Sequence, residues 1–137
     1  MKNTGNEIKK NEGYQRLPDT EFEVMQAIWG CTPPVTTTML MEQIGVQKSW
    51  KLQTLTTLLN RLIDRGFLKT EKLGKERTYY PLVKEEDYIE YETMYFVKRY
   101  HKNSLTSLVN AFYANSKLNP TEIQELNAWL QSKEEEN

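Results

Sequence analysis

The run KLQTLTTLLNRLI at residues 51–63 constrains this chain most. Placed at about 100° per residue, Leu52, Leu55, Leu58, Leu59, Leu62 and Ile63 fall on one arc. The opposite arc holds Gln53, Thr57, Asn60 and Asp64, with Thr54 and Thr56 at its margins. Such a helix must lay its leucines against a core, and it must then present short amides and hydroxyls outward. Gly66 is placed to end it.

The flanking segments supply that core. Thr20 and Glu23 have capping-box spacing, and Phe22, Met25, Ile28 and Trp29 follow at helical intervals up to Gly30, predicting a first helix over 20–29. Pro33-Pro34-Val35 predicts an extended connection. One of Thr36, Thr37 and Thr38 then caps a short second helix that carries Met39, Leu40 and Ile44 and ends at Gly45. After the leucine-rich helix, residues 67–73 and 78–82 alternate around the charged, glycine-containing turn Gly74-Lys75-Glu76-Arg77, which reads as a β-hairpin. Three helices followed by a hairpin make a winged helix-turn-helix, expected over residues 17–83. Residues 1–16 show no apolar periodicity and read as a flexible arm.

Beyond Pro81 the pattern becomes helical. A helix is expected from about 85 to 101, a second from Asn103 or Ser104 carrying Leu105, Leu108, Val109 and Phe112, and a third from Pro120. The third has Asn119 as N-cap and Glu122 at the box position, and its stripe is Ile123, Leu126, Trp129 and Leu130; residues 133–137 should fray. This 84–137 segment has more apolar surface than so short a chain usually buries alone. It packs either on the winged helix or on the same helices of a second chain. The second option makes a dimerisation domain in which Tyr95 and Phe96 join the residues just named. The expected fold class is therefore mainly α with a small β-hairpin wing.

Charge sharpens the division. Residues 14–83 carry nine Lys/Arg against seven Asp/Glu, whereas residues 84–137 carry six against ten. The modest basic excess in front does not by itself imply nucleic acid. No apolar run suits a membrane span or a secretory signal, and the lone Cys31 excludes an internal disulfide and a thiolate metal cluster, so a cytoplasmic protein is expected.

The candidate chemistry is recognition. Lys48, Ser49 and Lys51 at the start of the leucine-rich helix, with Gln53, Thr54, Thr56 and Thr57 along its outer face, have the side-chain types that meet phosphates and base edges. The bland reading of that face is a solvated helix surface. Lys72, Lys75 and Arg77 gather positive charge at the hairpin tip, where a wing touches the DNA backbone, and favour the DNA reading. His101 has no metal-sharing partner, Glu85-Glu86-Asp87 suits a helix N-terminus, and the tyrosines fit packing. No phosphate loop, catalytic set, cofactor site or metal site is visible.

These residues resemble the penicillinase and methicillin-resistance repressors, the BlaI/MecI family, over nearly all of 17–131. The marks are LPDTEFEVM at 17–25 with Ile28-Trp29, KLQTLTTLLNRL at 51–62, Gly66-Phe67-Leu68, RTYYPL at 77–82 and Ser107-Leu108-Val109. The resemblance implies a homodimer on a two-fold-symmetric DNA operator, silencing a nearby promoter, with readers at Gln53, Thr54, Thr56 and Thr57. It also implies a link to a membrane sensor-protease pathway that cuts an Asn-Phe bond in the β-lactam-responsive members. The corresponding bond here is Ala111-Phe112, with the Asn displaced to position 110. Copper-responsive relatives carry a C-terminal cysteine cluster that this sequence lacks. Two other readings stay open: a protein–protein winged helix, and a regulator with a small-molecule pocket.

Overall fold

The structure, a computed structural model, describes residues 14–115 and 118–136. Its elements in order are α1 (Asp19–Trp29), β1 (Val35–Thr36), α2 (Thr37–Leu40), a π-helical turn (Met41–Gly45), α3 (Val46–Lys48), α4 (Leu52–Asp64), β2 (Leu68–Leu73), β3 (Glu76–Pro81), α5 (Glu85–His101), α6 (Leu105–Ala114) and α7 (Pro120–Glu136). The chain divides into two compact units within α5, between Glu92 and Thr93.

In the N-terminal unit the leucine stripe of α4 is the centre of the core. Leu55, Leu58, Leu59 and Leu62 are buried together with Val24, Met25 and Ile28 of α1, Leu40, Ile44, Phe67, Leu68 and Tyr79. The helix ends as the sequence predicts. Gly66 adopts φ 84°, and the Phe67 N–H reaches the Leu62 carbonyl (2.9 Å) while the Gly66 N–H reaches that of Ile63 (3.0 Å), satisfying carbonyls that the helix end would leave orphaned. Leu52 departs from the predicted arc. It sits in the first turn of α4, at the margin of the apolar stripe, and is 56% exposed.

The hairpin pairs Leu73 with Glu76 across the two-residue turn Gly74-Lys75, and Gly74 takes the positive φ (67°) that such turns require. Glu76 and Arg77, expected in the turn, belong to β3. β1, expected only as an extended connection, pairs with β3 to give a three-stranded antiparallel sheet of order β1-β3-β2. Two residues are too short to give an alternation signal in sequence.

The expected capping box at Thr20 and Glu23 does not form. Helix α1 begins one residue earlier, after Pro18, and has no side-chain cap; Glu23 instead pairs with Lys48. The second helix also overruns its expected stop. Thr36 caps α2, its hydroxyl accepting from the Met39 N–H (3.1 Å), but the chain continues helically through Gly45 to Lys48. A Cβ at Gly45 would lie 2.6 Å from the sulfur of the flexible Met41 side chain, which would have to swing aside.

Of the expected arm, residues 1–13 lie outside the described residues, but residues 14–16 are packed. Tyr14 meets Phe67 and Tyr91, Gln15 accepts from Arg65 (2.9 Å), and Arg16 pairs with Glu92 (2.8 Å). Tyr88 completes this side. It is 1% exposed, accepts from the Leu17 N–H and donates to Glu92, both at 2.8 Å. Burial, then the Glu92 carboxylate, holds its phenol above the usual tyrosine range, so it remains a donor. The Trp29 indole donates to the Val83 carbonyl (2.9 Å).

In the C-terminal unit, α5 ends in a tight reversal through Lys102 and Asn103, both at positive φ, and Ser104 caps α6 by accepting from the Ser107 N–H (3.0 Å). Asn119 and Glu122 form the reciprocal box expected for α7, at 2.8 and 3.3 Å. Residues 133–136, expected to fray, are helical; Asn137 lies outside the described residues. No described helix is long and apolar enough to cross a membrane.

Candidate nucleic-acid interface

The α3–α4 connection is short because Ser49 takes a left-handed conformation (φ 58°) directly after Lys48, and Lys51 becomes the extended N-cap of α4. The Trp50 N–H is held by the Gly45 carbonyl at 2.8 Å, which anchors the turn. The turn therefore separates two helices, and the N-terminal residues of the second are turned outward.

On α4, Gln53, Thr54 and Thr57 are exposed and Thr56 is half-buried. Thr56 and Thr57 already spend their hydroxyl protons, donating to the Leu52 and Gln53 carbonyls one turn back, both at 3.0 Å. Outward they present a methyl group and oxygen lone pairs. Lys51 is exposed, whereas Lys48 is half engaged, since its ammonium pairs with Glu23 of α1.

The wing gathers cations by its register. Lys72 and Arg77 stand directly opposite each other on β2 and β3, and Lys75 occupies the turn. All three are exposed, and among the described residues none of them is in an ion pair. Like charges facing across a strand pair cost roughly 0.2–1 kcal/mol, which an anion at the wing would offset. Glu76, the acid of the hairpin tip, accepts from the Thr38 hydroxyl at 3.3 Å and links β3 to α2. The residues expected to meet DNA thus fall on the turn, on the outer side of α4 and on the wing, all in one unit. Sequence reasoning missed the exposure of Leu52 and the Glu23–Lys48 pair. The leucine arc concealed the first, and the expected cap concealed the second.

The residues expected at a dimer interface form a different surface. Tyr95, Phe96, Leu105, Phe112, Ile123, Leu126, Trp129 and Leu130 are exposed, and Leu108 and Val109 are half-buried. Val109, Phe112, Leu118, Leu126 and Trp129, with Glu122 and Glu125, line an open groove of about 630 Å³. The Ala111-Phe112 bond lies within α6, with both residues exposed.

A family profile described as "Penicillinase repressor" matches residues 17–132. The chain belongs to the penicillinase repressor family. Within this family of transcriptional repressors, it is 34% identical to the penicillinase repressor of Bacillus licheniformis over 81% of this chain and 86% of the relative. It is 36% identical to the methicillin resistance regulatory protein MecI of Staphylococcus aureus (strain N315), over 90% of this chain and 98% of the relative. Among solved structures it is similar to the DNA-binding domain of the repressor BlaI, at 33% identity and a TM-score of 0.48, covering 53% of this chain and 88% of that one.

Proposed function

We propose that this member of the penicillinase repressor family is a homodimeric, sequence-specific DNA-binding repressor acting by occupancy in the cytoplasm. Two chains joined through their 93–137 helices present two α4 helices to successive major grooves about one helical turn apart, on a two-fold-symmetric operator, and exclude polymerase from the promoter. The role is binding, without catalysis or cofactor. The observation that carries the reading is the exposed pair Lys72 and Arg77, facing each other on the wing and in no ion pair among the described residues, in a unit whose α4 turns Gln53 and Thr57 outward. Phosphates meet the wing and the helix start; bases meet Gln53 and the threonines.

A salt-resolved titration on operator and random duplexes tests this. Gln53→Ala should narrow the gap between the two DNAs, by about 1–3 kcal/mol if the amide pairs bidentately with adenine. Lys75→Ala should weaken binding to both and lower the salt slope by about 0.9. Equal losses on both DNAs for Gln53→Ala would remove it as a base reader. Relief of repression by a sensor-protease cut at Ala111-Phe112 would first require α6 to open locally, because the bond is helical.

A further inference from the structure

The leucine stripe of α4 accounts for every leucine of that helix except one. Leu55, Leu58, Leu59 and Leu62 are buried, but Leu52, the first residue of the helix, is 56% exposed. It adjoins Gln53, and Thr56 lies one turn further along the same side, since residues four apart share a face. The hydrogen bonds of the threonines decide what this surface offers. The Thr56 and Thr57 hydroxyls donate to the Leu52 and Gln53 carbonyls, at 3.0 Å each, so their protons are not turned outward. A phosphate oxygen needs a donor, and neither threonine supplies one in this conformation. Beside Leu52 this side of the helix start thus offers an isobutyl group, two threonine methyls and lone-pair oxygens next to the Gln53 amide, with the exposed Thr54 beyond Gln53 and the exposed Asn60 further along the helix.

Only one base displays an apolar group in the major groove, the C5-methyl of thymine, and only adenine there offers the donor–acceptor pair that an amide meets bidentately. We infer that Leu52, with the methyls of Thr56 and Thr57, reads thymine C5-methyl groups beside an adenine taken by Gln53, making Leu52 a specificity-determining residue. This rests on the DNA-binding reading above. The first residues of a recognition helix reach furthest into the groove, which is where Leu52 stands. Its exposed side chain has a use there that the core does not give it.

The test replaces thymine with deoxyuridine, which removes the methyl and leaves the Watson–Crick pair intact. The probe is the tightest-binding duplex selected from a random-sequence pool with the full-length protein, with each thymine substituted in turn. The wild-type chain should lose affinity about four-fold at one or two thymines per half-site, the effect of withdrawing one methyl from an apolar contact. Leu52→Ala should bind the parent duplex more weakly and be indifferent to uracil at one of those positions. Thr57→Val should keep its sensitivity to uracil, whereas Thr57→Ser, which lacks the methyl, should lose it. Uracil without effect on the wild-type chain, or Leu52→Ala as sensitive as the wild type, overturns the inference while leaving the repressor reading intact. Failure to select any duplex above random DNA overturns both.

Discussion

In the N-terminal unit Val24, Met25, Ile28, Leu55, Leu59 and Leu62 are sealed from solvent, whereas in the C-terminal unit Phe112 and Trp129 stand half exposed. The last buried residue along the chain is Tyr88; none follows it among the described residues. Both units are mostly helical and both have well-made helix ends, so local structure does not separate them. The difference lies in packing. One unit has α1 to α4, the start of α5 and a sheet to enclose its apolar faces, and the other has α6, α7 and the end of α5. Aromatic side chains each bury on the order of 150–250 Å², and leaving several of them exposed forgoes a large part of the stabilisation available to so short a segment. An exposed apolar surface of this kind is what an isologous partner covers.

Substitutions can break this contrast. The largest effect is expected from Leu59→Ala, which empties a fully buried site in the N-terminal unit and should cost about 2–5 kcal/mol in denaturant unfolding. Its dissociation constant as a dimer, measured where the variant is folded, should change little. Trp129→Ala should do the reverse. Truncating an interface aromatic typically costs about 2 kcal/mol or more, so dimer dissociation should rise roughly 30-fold by sedimentation, with the DNA preference of the remaining dimers unchanged. A Trp129→Ala variant that dimerises normally would show that this face is covered in some other way. Asn119→Ala removes one half of the α7 capping box and should cost about 1 kcal/mol, read as a small loss of helicity and of dimer stability together.

The sequence was most informative where one physical signal dominated. The stripe of α4, the Gly66 stop, the Gly74 turn and the Asn119–Glu122 box all came from a single residue type or spacing, and the structure contains each of them. It misled where two signals competed for one residue. Glu23 has capping-box spacing to Thr20, but the start of α1 after Pro18 puts Thr20 inside the helix and frees Glu23 to reach Lys48. Gly45 resembles a helix stop, yet its backbone is helical (φ −61°, ψ −48°) and the chain runs on helically to Lys48. Leu52 fits the apolar arc by angle, but the first turn of α4 extends past the core. The pair between the buried Glu21 and the half-buried Arg65 (2.6 Å) was also out of reach, because nothing local links positions so far apart in sequence. The outer face of α4 was readable because period alone separates it from the leucines, whereas the wing cations became a paired feature only once the register opposed Lys72 to Arg77.

The central claim is that the C-terminal unit completes itself on a second copy. Sedimentation equilibrium of the full-length chain over a concentration series tests it most directly. The account predicts a reversible species of twice the 16.2 kDa chain mass, weakened by Trp129→Ala. A monomer throughout the series, with Trp129→Ala indistinguishable from the wild type, would contradict it.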